Sequence, residues 1–367
     1  MPRRRQREKQ VFTDEESTVF ILGAGASWHY GFPTGEALVR EIGKKGAILA
    51  RYYQHSMKIG NPEYPKFLAE TDWKRAWEQC ERLNRALQQA NPLVIDYFLG
   101  LNPDLQEVGK LLIAWVLLER DARSRRHHGN INRTEFAEDD WCRFVTHELG
   151  VGCVASDDLF KNKVSFVTFN YDMSLEARLL NGLRHIELFA AADIEKFLSG
   201  SRIIHVYGKL ANSQPDALPW SVENDDPHSF KGFNSGDYHV NFAKLLNAVH
   251  DASTDLRVID PHNKGADAEN IQLARTQITY AKRLFILGYG FDENNNQRLK
   301  LSEAIRQHKK RVYFTNFDNN RNINKRASKI IFGDENHFRF EADWNQAGLY
   351  ERSTRNVYDA FARDFDL

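Results

Sequence analysis

Cysteine is scarce in this chain: Cys80, Cys142 and Cys153 are the only three in 367 residues, and no C-x-x-C pair occurs. That scarcity leaves no material for a four-thiolate zinc site or a disulfide framework, and it makes a reducing cytoplasm the simplest home. A surplus of charge is missing too. Lys plus Arg equals Asp plus Glu at 50 each, so there is no overall basic field of the kind that carries non-specific nucleic-acid binding, and any nucleic-acid role must be local or borrowed from a partner. Long apolar runs are also absent. The longest, Leu111 to Leu118, falls far short of the roughly 18 residues a membrane span needs. The start Met-Pro-Arg-Arg-Arg is followed by no apolar segment, so the expectation is a soluble, unsecreted protein without membrane contact. There is no internal repeat and no low-complexity segment. The length suffices for one large α/β domain plus a second compact unit, with a core that needs no staples.

What is present begins with Thr18-Val-Phe-Ile-Leu-Gly-Ala-Gly-Ala-Ser27. Val19 to Leu22 is a short β-branched and aromatic run without a polar break, as expected of a parallel strand covered on both faces. Gly23, Ala24, Gly25, Ala26 and Ser27 then offer positions of little or no side chain where backbone N–H groups can approach a phosphate, or where a strand simply turns into a helix. The full G-x-G-x-x-G fingerprint fails, because Trp28 stands at the third glycine. Pro33 stiffens the next loop, and Thr34 is a plausible N-cap for a helix carrying Ala37, Leu38 and Ile42.

Residues 1–16 are charged and read as a mobile arm. Residues 45–160 are aromatic-rich with apolar residues at helical spacing and read as a helical insertion. Residues 17–44 and 161–367 then make up the sheet domain. Within the insertion, Arg123-Ser-Arg-Arg-His-His-Gly129 with Arg133 is a dense basic cluster, read as a solvated loop or a phosphate or partner contact. Strand character returns at Val164–Phe169, Arg202–Gly208, Arg283–Gly290 and Lys310–Asn316, with helices expected at 238–250 and 266–282 and from near Ser174, Asp292 and Arg321. The polar segment 211–237 is long enough to suggest a functional loop over a site. Strands alternating with helices predict an α/β fold with a doubly wound, Rossmann-like parallel sheet.

In such a sheet, ligands bind beyond the carboxyl ends of the strands. Gly23 to Ser27, Asn170 with Asp172, His205 with Gly208, Gly288 to Asn295, and Asn316 with Asp318 all follow directly on apolar strands, so one cleft can gather them. Taken singly, each has a plainer reading: Asn170 and Asp172 as turn formers, His205 as a satisfied core histidine, Asn316 as a helix-entry residue.

These residues resemble those of the sirtuins, and more closely of the bacterial sirtuin-like NAD hydrolases of anti-phage defence. Gly-Ala-Gly-Ala-Ser27 resembles their Gly-Ala-Gly-x-Ser loop, Thr168-Phe-Asn-Tyr-Asp172 with Leu175-Glu176 their Thr-x-Asn-x-Asp motif, and His205-Val-Tyr-Gly208 their His-Gly. Gly288, Gly290 and Asn316 fall where that family has glycine-rich and ribose-contacting loops. The likeness covers about 18–44 and 164–332. The chain departs from the deacylases in lacking the four zinc cysteines, with the helical insertion in place of that module, and in lacking Asp-Phe-Arg after Pro33.

The resemblance implies NAD as substrate and cleavage of its nicotinamide–ribose bond, without zinc. It implies Asn170 and His205 as the catalytic pair, with Asp172 orienting the loop or a second hydroxyl. Gly23, Ala24, Gly25, Ala26, Ser27, Pro33, Thr168, Gly288, Gly290 and Asn316 are then expected to hold the dinucleotide. Asn170 suits fixing a ribose hydroxyl or water, and His205 suits taking a proton near neutral pH. Homo-oligomer assembly and a nucleic-acid-sensing partner, a DNA-translocating ATPase or a short Argonaute, are implied as well. A non-catalytic NAD or ADP-ribose sensor and an NAD-dependent protein deacylase are the alternatives.

Overall fold

The structure, a computed structural model, describes residues 11–59, 65–69, 72–130, 141–211, 236–258, 269–307, 310–316, 320–333 and 349–351. These form an α/β protein around one all-parallel sheet: β1 (Thr18–Leu22), β2 (Val164–Thr168), β3 (Ile203–His205), β4 (Arg283–Leu287), β5 (Arg311–Asn316) and β6 (Leu349–Glu351). The spatial order is β3-β2-β1-β4-β5-β6. Successive strands therefore step away from β1 on one side, and the chain returns to its other side with β4. The helices are α1 (Gly35–Ile59), α2 (Trp73–Ala90), α3 (Ile95–Gly100), α4 (Gln106–Asn130), α5 (Trp141–Gly150), α6 (Ser174–Arg184), α7 (Ala191–Ser199), α8 (Gly236–Ser253), α9 (Glu269–Tyr280), α10 (Glu293–Leu299), α11 (Leu301–Gln307) and α12 (Arg321–Phe332).

β1, β2 and β4 are buried at every residue, which is why they read as unbroken apolar runs instead of alternating ones. Their register brings aromatic residues level with one another: Phe166 pairs with Phe20, Phe20 with Phe285, and Phe285 with Tyr313. The rings form a row, with successive centroids 5.3, 5.2 and 4.8 Å apart. Burying each phenylalanine contributes on the order of 2–3 kcal/mol, so this row is a large share of what holds the centre of the sheet. A slip of one residue would carry every ring to the opposite face.

Residues 11–16, expected to belong to a mobile arm, are docked. Phe12 is fully buried and lies edge-on to Phe20, and its carbonyl accepts from the Lys163 amide at 2.7 Å. Arg283, at the start of β4 and 1 % exposed, donates to the carbonyls of Val11 and Glu16 and to Thr18 Oγ1. A buried guanidinium needs acceptors, and this segment supplies two of them through Val11 and Glu16. The charged composition of 1–16 hid the two apolar anchors, Val11 and Phe12. Residues 1–10 lie outside the described residues.

The chain divides into two compact units, residues 1–29, 132–206 and 266–367, and residues 30–131 and 207–265. The second is helical, and α1, α2, α3, α4 and α8 fall in it. Its core holds the Tyr52 ring 4.4 Å from Phe242 and 5.9 Å from Trp73. Lys45 pairs with Glu119, which also accepts from the Trp115 indole. These boundaries differ from those read in the sequence. A break after residue 44 would fall inside α1, whose apolar stripe packs on α2 and α4. Residues 141–160 instead go with the sheet, since Trp141 stacks on Phe20 and α5 packs on α6. Residues 207–211 and α8 return to the helical unit, where the Ala211 amide donates to Ala252 O.

The basic run is helical in backbone as far as Asn130, in α4. Most of the long polar segment 211–237, and Arg133, lie outside the described residues.

Candidate functional site

After β1 the chain tightens into a 3-10 turn, Ala24–Tyr30. The Gly23 amide donates to Leu287 O, Gly25 to Gly288 O, and Ala26 back to Gly23 O, at 2.9 to 3.0 Å. The loops that follow β1 and β4 thus touch backbone to backbone, and the glycines are there for that reason. A Cβ on Gly23 would sit 2.5 Å from Gly288 O, and one on Gly25 2.7 Å from Gly288 Cα. Gly288 has φ +57°, and a Cβ there would lie 2.1 Å from the Ala26 amide nitrogen. Its own amide donates to Thr315 Oγ1. Of the five amides from Gly23 to Ser27 expected to cradle a diphosphate, those of Gly23, Gly25 and Ala26 have backbone partners here.

The loop after β2 brings the polar residues together. Thr168 Oγ1 accepts from the Asn170 amide at 3.0 Å. The Asn170 side chain donates through Nδ2 to Gly23 O at 3.0 Å and to Ser27 Oγ at 2.9 Å. Gly23 O can only accept, which identifies the carboxamide end facing it as the NH2. Oδ1 has no partner among the described residues, and Asn170 itself is half-buried. Ser27 Oγ donates to Asp172 Oδ1 at 3.2 Å and lies 3.1 Å from Ser174 Oγ. Asp172 Oδ1 also accepts the Ser174 amide at 3.0 Å, at the first turn of α6.

His205 closes the cluster from the end of β3. Its Nδ1 lies 2.8 Å from the Asn170 carbonyl and its Nε2 2.9 Å from Glu176 Oε1, on α6. The histidine is buried, and each ring nitrogen faces an acceptor, so in this arrangement neither offers a lone pair to a water or a ribose hydroxyl. Asp172 is buried as well. Burial pushes its carboxyl up from the ordinary value, an effect opposed by the hydrogen bonds from Ser174 and Ser27 and by the electrostatic influence of His205.

Gly23, Ala24, Gly25, Ala26, Ser27, Thr168, Asn170, Asp172, His205 and Gly288 therefore form one connected set at the carboxyl ends of β1, β2, β3 and β4. Others among the expected residues do something else. Asn316 is 4 % exposed and uses its carboxamide within its own loop, donating to Asn320 O and Asn324 Oδ1 and accepting from the Asn320 amide. Both of its ends are engaged at the entry into α12, where a ribose contact was expected from the sequence. Gly290 is exposed, has no positive φ, and has open space where a Cβ would be. Pro33 belongs to the helical unit, in the bend before α1. Gly208, in the same unit, has φ +75°, and a Cβ there would meet Asp255 O. It is a turn glycine.

Three participants were not singled out from sequence as site members. Ser174 donates to Asp172, Glu176 holds His205, and the Trp141 indole donates to Ala26 O at 3.1 Å. Glu176 had a signal, since it stands in the first turn of the helix that follows the Asn-Tyr-Asp loop. Trp141 read as a packing residue of the helical insertion, and its partners Phe20 and Ala26 are distant from it in sequence. Among the described residues, no group of three or more His, Cys, Asp or Glu is arranged to hold a metal ion. No family profile matches the chain, and no curated protein or solved structure matches it either.

Proposed function

We propose that this chain is a sirtuin-like NAD glycohydrolase, with a doubly wound, Rossmann-like sheet and a helical unit in place of the zinc module of the deacylases. The strand order 3-2-1-4-5-6 is that of dinucleotide-binding sheets, in which the ligand lies beyond the carboxyl ends of the strands where the order reverses. The observation that carries the reading is the Asn170 carboxamide. Two acceptors hold its NH2 end, and its Oδ1 is left to accept a hydrogen from a water or a ribose hydroxyl.

In the reaction, the bond between the nicotinamide ring nitrogen and the ribose anomeric carbon breaks, and its electron pair neutralises the pyridinium. The oxygen of the water held by Asn170 bonds to the carbon as positive charge develops there, and its proton leaves to solvent. Ser27 and Asp172 hold Asn170 in place. His205 steadies the Asn170 carbonyl, in contrast to the proton acceptor expected from the sequence. With Gly23, Gly25 and Ala26 engaged by backbone partners, the reading rests on Asn170 more than on the glycines.

An unregulated NADase would deplete its own cell. The reading therefore includes an off state held by homo-oligomer assembly or by the long 211–237 segment, most of which lies outside the described residues, and a nucleic-acid-sensing partner such as a DNA-translocating ATPase or a short Argonaute, in cytoplasmic anti-phage defence. These elements rest on the resemblance. A second reading is favoured by the engagement of both His205 nitrogens: a sensor that binds NAD or ADP-ribose without turnover. Incubating the protein and its co-purified neighbours with NAD, with and without an acylated peptide, separates the possibilities. Equal amounts of nicotinamide and ADP-ribose are expected without peptide. Product formed only with peptide would mean a deacylase, and binding without product a sensor.

A further inference from the structure

We infer that Glu176 is a positioning residue: acting through His205, it fixes the Asn170 loop and so sets the rate of turnover without setting ligand affinity. The inference rests on the NAD reading above and adds to it a residue that acts through His205.

The Asn170 carbonyl can only accept, so His205 Nδ1 carries hydrogen and donates to it at 2.8 Å. On the other side of the ring, Nε2 and Glu176 Oε1 are 2.9 Å apart and share one proton, whichever of the two holds it. This contact is what keeps the ring in the orientation that presents Nδ1–H to the loop. The backbone around His205 is fixed independently: its carbonyl accepts from Asn270 Nδ2, on α9, and the Val206 amide donates to Thr168 O. The ring is therefore the adjustable part, and Glu176 is the group that adjusts it. The charged groups facing the imidazole are Glu176, from α6, and Asp172, from the loop after β2; α9 contributes the neutral Asn270.

Glutamine at 176 has an NH2 that can donate to the Nε2 lone pair of a ring still carrying hydrogen on Nδ1, so the clamp survives without the carboxylate. Alanine leaves Nε2 without that partner. The ring can then take the tautomer with hydrogen on Nε2, in which the Nδ1 lone pair opposes the Asn170 carbonyl and the loop shifts. Misplacing a water-orienting group in this way costs catalysis, not ground-state binding.

The test uses the full chain with its co-purified neighbours, in wild-type, Glu176→Gln and Glu176→Ala forms. Ring-nitrogen NMR of 15N-histidine-labelled protein, with His205→Asn to identify the resonance, reads the tautomer. Nicotinamide release reads kcat and KM. Glu176→Gln should keep hydrogen on Nδ1 and stay within about threefold of wild-type kcat. Glu176→Ala should mix the tautomers and lower kcat by roughly 10- to 100-fold, with KM changed less than about twofold. Identical ring-nitrogen shifts in all three, or equal losses in Gln and Ala, would overturn the inference whatever the activity. Shifts that behave as expected in a wild-type protein releasing no nicotinamide would overturn the NAD reading and leave the clamp standing.

Discussion

Asp172 is ionisable yet 6 % exposed, and its Oδ1 accepts two hydrogen bonds from groups 145 and 2 residues away along the chain. Its charged form is desolvated, so its carboxyl is raised in the folded protein. The sign follows from linkage: the stability Asp172 contributes is fully present below its unfolded value and is lost as pH rises through the raised folded one. Asparagine keeps an acceptor for Ser27 and Ser174 and does not titrate. Asp172→Asn should therefore gain stability relative to wild type as pH rises from 4 to 7, the two curves separating on the way up and running parallel above the folded pKa. Urea unfolding of both across that range measures it, and a constant difference would show that burial is not what governs this carboxyl. The members of the cluster were legible in sequence, because Asn170, Asp172 and His205 are polar residues placed straight after apolar strands. Their duties were not. Which ends of an asparagine are engaged depends on partners brought in by folding: Asn316 uses both ends of its carboxamide within its own loop, whereas Asn170 uses its NH2 end on Gly23 and Ser27.

At the level of elements, the strands were readable because burial on both faces removes polar residues from them. β3 came out shorter than expected, three residues instead of the seven from Arg202 to Gly208, since the chain turns into the helical unit after Val206. The glycine turn was readable as a turn but not for its cause. A glycine needed for phosphate approach and one needed for approach of a second loop look the same in sequence, and here Gly25 and Gly288 meet each other. Gly288→Ala combines a positive φ with an overlap of Cβ on backbone, neither of which a side-chain rotation relieves. A cost of at least about 2 kcal/mol is expected from such strain, read as a lowered urea midpoint. Gly290→Ala, at an open site, should change stability by less than about 0.5 kcal/mol. Equal effects at the two positions would contradict the account of how the loops pack.

At the level of the whole molecule, the α/β class was legible from alternating strand and helix character. The division into units was not, because α1 follows β1 directly in sequence yet belongs to the helical unit, and 141–160 follows helices yet belongs to the sheet. Among the described residues, no helix is long and apolar enough to cross a membrane. The proposed NAD hydrolysis turns on one atom, Asn170 Oδ1, and on whether it holds a water against the bond to nicotinamide. The most direct measurement is nicotinamide release by wild type and Asn170→Ala, alongside calorimetric binding of ADP-ribose and a thermal melt to confirm folding. The variant is expected to lose at least roughly 100-fold in release, with ADP-ribose affinity held within a few-fold. Release that continues unchanged without the Asn170 carboxamide would contradict the proposed hydrolysis.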